Sequence, residues 1–336
     1  MSASASASAA VAAESALIAV RLMAIRYAAQ DTHVFEFAPV AGGLLPAAAP
    51  GAHIDLHLPG GVASGRVRSY SLLLSADLAV DAPRPYYRVG VKRDAHSSGG
   101  SRYLHEQLRV GMTLDISAPR KQYPLHDGDA PSVFIAGGIG ITPIWSMLQR
   151  QQARGLAWAL HYASRTREEA AFAAELQDLP AVRLHIDAEQ QGRLLDIAAI
   201  VAAAPAGAHF YCCGPKPMLA AFEAATADVP AQRVHLEYFS ARQEAASAGG
   251  YTVVLARSGR ELSVPEGRSI LDVLREAGVE VGYSCEQGVC GACETKVIAG
   301  TPDHRDSILT TSEREASRSM MICCSGSHSA RLELDL

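Results

Sequence analysis

Three cysteines near the end of the chain, Cys285, Cys290 and Cys293, follow the spacing C-x4-C-x2-C. Plant-type [2Fe–2S] sites have this spacing, with a fourth cysteine further along the chain. The loop has to turn tightly enough to aim backbone amides at the sulfurs, and Gly288 and Gly291 supply that conformational freedom. The spacing therefore predicts that the last third of the chain folds around a [2Fe–2S] cluster.

The fourth ligand is Cys323 or Cys324, because two adjacent residues cannot both face the cluster from one strand. A zinc site is one alternative, but zinc sites usually pair two short C-x-x-C-like knuckles, and this chain has one. Buried structural cysteines are the other alternative. The chain has seven cysteines, an odd number, which favours metal binding in a reducing compartment over a secreted disulfide framework.

The composition indicates a globular protein of several domains. The 336 residues are enough for two or three domains, and with 49% hydrophobic and 19% charged residues each domain can bury a normal core. A net charge of −5 without a basic stripe argues against nucleic-acid binding. No apolar run approaches the ~18 residues that span a bilayer, and residues 1–16 resemble a disordered Ser/Ala tail, not a signal peptide. We therefore expect a soluble, cytoplasmic protein.

Residues 17–125 alternate apolar and polar residues in short runs that Gly and Pro interrupt. The segments His53–Leu58 and Tyr87–Val91 are strand-like, and one helical stretch begins near Ser101. This pattern predicts a closed antiparallel β-barrel with one helix.

Residues 126–239 alternate short apolar strands with helix-length stretches, which is typical of an α/β doubly wound parallel sheet. Residues 240–250 are small and polar and are predicted to be a linker. Residues 251–336 contain two candidate strands, a helix with an N-cap at Ser269 and a final half-buried strand. We expect a compact mixed sheet with one helix, an α+β fold, in this last segment.

Two loops in the parallel segment each follow a strand and precede a helix. Glycines at such a junction let a pyrophosphate sit against backbone amides at a helix N-terminus, where a doubly wound sheet binds its ligand. The same glycines are also compatible with a simple tight turn, and the cysteine with a small buried thiol. The residues are Gly137, Gly138, Gly140, Thr142 and Pro143 in the first loop and Cys213, Gly214 and Pro215 in the second.

The barrel segment carries a further group of binding candidates. A cation, two hydroxyls and an aromatic ring lie within five residues of one likely strand, and a helix start rich in Gly and Ser follows, which is a ready anion site. Taken alone, the strand motif is equally compatible with a surface strand. The residues are Arg68, Ser69, Tyr70 and Ser71 on the strand, and Lys92, Gly99, Gly100 and Ser101 before and at the helix start.

Together these motifs resemble those of the phthalate dioxygenase reductase family, which includes vanillate O-demethylase reductases. The resemblance extends from about Leu17 to the C-terminus, and the combination of motifs is more specific than any one of them. It implies a multidomain protein with a flavin-binding barrel, a nicotinamide domain and a β-grasp ferredoxin domain. The motifs that carry it are Arg68–Ser71, Gly99–Ser101, Gly137–Pro143, Cys213–Pro215, Cys285–Cys293 and Ile322–Ser325.

The resemblance also implies cofactors and ligands. The flavin is expected to be FMN, with its ring and ribityl chain at Arg68–Ser71 and its phosphate at Gly99–Ser101. The family pattern C-V-S around the last cysteine aligns Cys323 as the fourth cluster ligand and places Cys324 at the valine position. Phe239 matches an aromatic residue that shields the flavin in this family.

The residues after the second parallel strand bear on the choice between NADH and NADPH. Ser164 and Arg165 are followed by Arg167, Glu168 and Glu169. An acidic residue in this region usually recognises the ribose 2′-hydroxyl of NADH, whereas arginine accommodates a 2′-phosphate. Both types are present; the family favours NADH, and we expect NADH.

The resemblance implies an electron relay from NADH through FMN to the cluster, and on to a Rieske-type aromatic oxygenase or O-demethylase component. No side-chain nucleophile or general base is required for such a relay, so no catalytic residue is predicted. Glu286, Gln287 and residues 302–306 lie near the cluster in sequence and form either a docking face or a solvated loop. A redox sensor and a reductase for a cytochrome P450 are the alternative functions. We expect the protein to be a monomer.

Overall fold

The structure is a computed structural model, and it describes residues 17–59, 67–75, 82–95 and 99–336, without the side chain of Thr311. The predicted tail, residues 1–16, lies outside the described residues. The chain forms two compact units, of which the first ends at Glu237 and the second spans Tyr238–Leu336. The domain boundary after residue 239 and the linker at residues 240–250 stay predictions.

The first unit begins with an antiparallel β-barrel. Its elements are β1 (Ile18–Ala29), β2 (Thr32–Pro39), β3 (Ala52–His57), β4 (Val67–Ser71), β5 (Tyr87–Lys92), α1 (Gly100–Glu106), β6 (Thr113–Ile116) and β7 (Arg120–Lys121). The strand order is β4-β3-β6-β1-β2-β5, and a bridge between Leu72 and Val89 joins the two ends of the sheet. Alternate residues such as Val20 and Leu22 point into the core, and this confirms the predicted barrel.

The second half of this unit is a parallel sheet with helices. Its elements are β8 (Ser132–Gly137), α2 (Ile141–Ala153), β9 (Trp158–Ser164), α3 (Ala173–Leu176), β10 (Val182–Ile186), α4 (Ile197–Ala202), β11 (His209–Cys213), α5 (Lys216–Ala225) and β12 (Val234–Glu237). The order β10-β9-β8-β11-β12 confirms the doubly wound prediction. Strands are added on one side of β8 up to β10 and then on its other side from β11 onward, so the strand order reverses between β8 and β11. Ligands bind at such a switch point.

One hydrophobic core is shared by the barrel and the parallel sheet. Val34 and Leu73 of the barrel segment and Tyr123 of the connection pack in the same cluster as Phe134 of β8 and Ile144 of α2. Burial of these side chains, at about 1.5–3 kcal/mol for each large aliphatic one, ties the two predicted domains into a single unit.

The second compact unit is a mixed sheet crossed by one longer helix. Its elements are β13 (Tyr251–Leu255), β14 (Glu261–Val264), α6 (Ile270–Glu276), β15 (Glu294–Ala299), β16 (Pro302–Asp303), α7 (Thr311–Ala316), β17 (Ser319–Met321), β18 (Gly326–Ser327) and β19 (Arg331–Leu334). The main strand order is β14-β13-β19-β15-β17, with β13 and β19 parallel, as expected for a β-grasp fold. Ser269 is the N-cap of α6, as predicted, and forms a capping box with Asp272, in which each side chain accepts from the other residue's backbone N–H.

Within the described ranges, no helix is both long enough and apolar enough to cross a bilayer.

Candidate functional site

The two predicted cofactor loops lie side by side at the carboxyl ends of β8 and β11. Gly137 ends β8, Gly140 precedes α2 and Cys213 ends β11. A side chain at Gly140 would overlap the Cys213 carbonyl, and a Cβ at Gly214 would lie 3.2 Å from the Gly137 Cα. The backbones therefore meet where only glycine fits, and the predicted loops come together at the switch point of the sheet.

The first loop leads directly into α2 through the turn Gly138–Gly140. Gly138 has a φ of +54°, and a Cβ there would meet no atom within 4 Å. Thr142 is buried, and its hydroxyl donates to the Ile139 carbonyl over 2.9 Å, while Pro143 is buried beside it. The amides at the start of this 13-residue helix remain suited to an anion, whereas the Thr142 hydroxyl proton is engaged within the loop.

Glu237 is a candidate site residue that the sequence analysis missed. It ends β12 directly beside Cys213 of β11, and in the described residues its Oε2 is buried without a hydrogen-bond partner. Burial raises the pKa of Glu237 to about 8, and burial also raises the pKa of the Cys213 thiol. Both groups are therefore predominantly neutral near pH 7. The only local signal is an acidic residue at the end of a short strand, two residues before the predicted aromatic Phe239.

Phe239 lies in the second compact unit, which begins at Tyr238. Its side chain is 44% exposed. Its role as the ring that shields the flavin stays a prediction.

The end of β9 carries the residues predicted to select the nicotinamide cofactor. Ser164 is buried and Arg165 is exposed. Arg167 donates to both carboxylate oxygens of Glu189, over 2.9 Å and 3.0 Å. This two-point ion pair occupies the guanidinium edge with which arginine binds a phosphate. The guanidinium of Arg167 is therefore engaged within the protein.

In the barrel, β4 brings Arg68 to the start of α1. A Cβ at Gly100 would lie 2.6 Å from the Arg68 Cγ, so the arginine stem packs directly on the first turn of the helix. Gly99 precedes the helix with a φ of +111°. Burial raises the pKa of the Tyr70 phenol, and the nearby charge of Arg68 lowers it by a smaller amount. The predicted strand motif and the predicted phosphate motif thus lie together.

Other predicted flavin residues have partners within the protein. The Ser69 hydroxyl donates to Asp55 Oδ1 over 2.6 Å, and Lys92 pairs with Glu169 over 2.6 Å. Ser71 is buried, and the Ser101 hydroxyl accepts from the Asp94 backbone N–H over 3.2 Å. Binding of FMN by these side chains stays a prediction.

The loop between α6 and β15 holds Cys285, Cys290 and Cys293. The Cys285 backbone N–H donates to Cys290 Sγ over 3.4 Å, and the amides of Gln287 and Val289 donate to Cys285 Sγ over 3.3 Å and 3.5 Å. Amides that point at sulfur stabilise thiolates. The hydrogen bond with the Cys285 thiol is the main cause that raises the pKa of Cys290, and burial is the second. Cluster binding therefore has to displace protons from these thiols.

The segment after β17 provides the candidate fourth ligand. The Cys323 thiol interacts with the thiols of both Cys285 and Cys324. The Cys324 sulfur also contacts the Met321 carbonyl over 3.7 Å and occupies the space that a side chain at Gly288 would need. Cys323 thus contacts a cysteine of the C-x4-C-x2-C loop, which supports it as the fourth ligand.

The four candidate thiolates match the ligand number of a [2Fe–2S] cluster. A [2Fe–2S] cluster shares four thiolates between two irons, so that each iron needs only two of them. Cys285, Cys290, Cys293 and Cys323 are the candidate thiolates, and backbone amides point at the sulfurs of Cys285 and Cys290.

A nicotinamide cofactor delivers electrons in pairs, whereas a [2Fe–2S] cluster takes them singly. A flavin converts one into the other, and the barrel strand beside the start of α1 is the predicted flavin site. The protein is therefore a nicotinamide-dependent flavin and iron–sulfur reductase.

Comparisons with known proteins agree with this class. A 2Fe–2S iron–sulfur cluster binding domain matches residues 253–326, and an oxidoreductase NAD-binding domain matches residues 134–224. The phenoxybenzoate dioxygenase subunit beta of Ectopseudomonas oleovorans is 51% identical over 97% of this chain and 99% of its own length. Phthalate dioxygenase reductase has 34% identity and a TM-score of 0.71, over 96% of this chain and 99% of that one. An intact type IV self-sufficient cytochrome P450 monooxygenase has 34% identity and a TM-score of 0.83, over 95% of this chain but 41% of its own.

The chain belongs to the phthalate dioxygenase reductase family. It is an NADH-dependent oxidoreductase whose cofactors are FMN and a [2Fe–2S] cluster.

The two adjacent cysteines give a direct test of the fourth ligand. We expect Cys323→Ser to lose the visible absorbance and the electron paramagnetic resonance (EPR) signal of the cluster, because serine is a poor replacement for a thiolate ligand. Cys324→Ser is the matched control and is expected to keep both, with FMN content unchanged in either variant. Loss of the cluster in Cys324→Ser alone would contradict the assignment.

The Arg167–Glu189 pair predicts how the cofactor preference can be shifted. Glu189→Gln removes the paired carboxylate and frees the guanidinium, so kcat/KM for NADPH is expected to rise by no more than about fivefold, because solvent-exposed ion pairs are weak. The value for NADH is expected to stay unchanged. Asp187→Asn is the control, because Asp187 lies in the same turn and contacts His185. An equal change for both cofactors would show that the pair does not select between them.

Proposed function

We propose that the chain is the reductase component of a two-component Rieske-type aromatic-ring oxygenase or O-demethylase. The observation that carries the proposal is the thiolate loop that follows a nicotinamide crevice in the same chain, which gives the protein an exit for single electrons. A relative that is 51% identical over nearly its whole length is named as a dioxygenase subunit, and this supports an oxygenase as the acceptor.

The chain's own residues bind and orient the cofactors. The amides of Gly138–Gly140 at the start of α2 receive the pyrophosphate of NADH, and Cys213 and Glu237 form an uncharged surface for the nicotinamide. Gly99–Ser101, with Arg68 packed against it, receives the FMN phosphate. When bound there, FMN would supply the conversion of a two-electron hydride donor into single electrons.

The face of the second unit near the cluster loop is the proposed exit toward the oxygenase. Glu286 and Gln287 are exposed there, and Glu286 lies 4.0 Å from Arg275. Asp306, which was also considered for a docking face, is 1% exposed and is therefore excluded from one. Asp306 is buried because its carboxylate accepts hydrogen bonds from the backbone N–H groups of Ile308 and Leu309.

A cytochrome P450 is the second candidate acceptor. The observation that favours it is the structural likeness of this chain to part of a self-sufficient P450 monooxygenase. In that case the reductase would feed a haem protein through the same cluster face.

We further propose that the protein acts as a monomer in the cytoplasm. All seven cysteines are unpaired as thiols, which suits a reducing compartment.

The acceptor is tested by reconstitution. The purified full-length holoprotein is mixed with NADH, an aromatic substrate and either a purified Rieske-type aromatic oxygenase component or a purified bacterial cytochrome P450, and the product is quantified. Coupled turnover with the Rieske component, abolished by Cys323→Ser, is the expected result. Coupled turnover with the P450 alone would favour the second candidate, and cytochrome c reduction at a negligible rate would contradict a reductase function altogether.

A further inference from the structure

One short segment of the second unit is bonded to both parts of the chain that carry the predicted cluster ligands. The Ser307 backbone N–H donates to the Gly288 carbonyl over 2.8 Å, and Gly288 lies in the loop between Cys285 and Cys290. The Arg305 backbone N–H donates to the Ser325 hydroxyl over 3.1 Å, and Ser325 follows the candidate fourth ligand by two residues. Residues 305–307, here called the bridge segment, are therefore hydrogen-bonded both to the cluster loop at Gly288 and to the segment that carries Cys323, at Ser325.

Asp306 lies at the centre of the bridge segment with its side chain buried. Its Oδ2 accepts from the backbone N–H groups of Ile308 and Leu309, over 3.0 Å and 2.8 Å. A Cβ at Gly288 would lie 3.0 Å from the Asp306 Cα, so the bridge segment packs directly on the cluster loop. A shift of the Asp306 backbone would therefore be transmitted to that loop.

Arg314 of α7 holds this aspartate from the other side. Its Nη2 donates to the Asp306 backbone carbonyl over 2.6 Å and lies 3.7 Å from the carboxylate Oδ2. His304 approaches Oδ1 with its Nδ1 at 3.8 Å, beyond hydrogen-bond distance. In the described residues Oδ1 has no hydrogen-bond partner.

A buried and incompletely satisfied carboxylate costs stability, even with a cation beside it. This carboxylate holds a turn whose backbone packs directly on the cluster loop. The hydrogen-bonded groups around first ligands commonly have such a role, because they fix the geometry of the ligands.

We propose that Asp306 is a positioning residue for the [2Fe–2S] cluster. Its carboxylate fixes the turn at Ile308 and Leu309, Arg314 fixes its backbone, and the bridge segment then holds the ligand-bearing segments at the separation that the sulfurs require. The proposal rests on cluster binding and is independent of which protein accepts the electrons.

The test measures cluster retention in the full-length holoprotein. Asp306→Ala removes the acceptors, and Asp306→Asn keeps an oxygen for the backbone N–H groups but removes the charge. Each variant is incubated with an iron chelator, and the decay of the cluster's visible circular dichroism and the released iron are followed. We expect Asp306→Ala to lose the cluster about tenfold faster or more, Asp306→Asn to be intermediate, and both to show altered EPR g-values with normal FMN content.

Asp335→Ala is the matched control, since Asp335 is an aspartate of the same unit whose Oδ1 accepts from Arg257 over 3.0 Å, and Arg257 lies outside the bridge segment. It is expected to lose the cluster at the wild-type rate. Equal acceleration in Asp335→Ala, or wild-type cluster loss and EPR spectra in Asp306→Asn despite a lower melting temperature, would overturn the proposal. If Asp306→Ala does not fold, Asp306→Asn and Arg314→Met decide the question by the same readouts, with Arg314→Met expected to accelerate cluster loss.

Discussion

Four thiolates held close together repel one another, and the second compact unit is arranged around this constraint. The cluster loop meets it with backbone freedom at Gly288 and with amides directed at the Cys285 sulfur. The candidate fourth thiol, Cys323, comes from a segment that follows the sheet strand β17 and is therefore held by the fold rather than by the loop. The site depends on two pieces of chain keeping a fixed separation, and the β-grasp sheet and the bridge segment together provide it.

In the first unit the main constraint is the close approach of the two predicted nicotinamide loops at the ends of β8 and β11. Gly140 lies where any side chain would meet the carbonyl of Cys213, so the crevice is shaped by bare backbone. The barrel and the parallel sheet share one core, which fixes the barrel strand β4 and the nicotinamide loops within a single body. Hydride transfer requires the nicotinamide ring and the flavin ring to meet within a narrow range of geometry. A core shared by the two binding segments helps to fix that geometry.

Local patterns predicted much of this architecture. The cysteine spacing, the period of the strands and the cap at Ser269 each depend on neighbours in sequence, and each is present in the structure. The pairing of Lys92 with Glu169 joins residues far apart in sequence, and no local pattern reports it. The burial of Asp306 and of the carboxyl of Glu237 likewise depends on strands that come together only in the folded chain, and an acidic residue in a short polar run otherwise suggests a solvated loop.

The central claim is that one chain passes electrons from NADH through FMN to a [2Fe–2S] cluster. An anaerobic titration of the holoprotein with NADH, followed by visible absorbance and EPR, tests it most directly. The account predicts full reduction at about 1.5 equivalents of NADH, since FMN takes two electrons and the cluster one, with about one cluster spin per chain. Reduction that stops at about one equivalent with no cluster signal would contradict it.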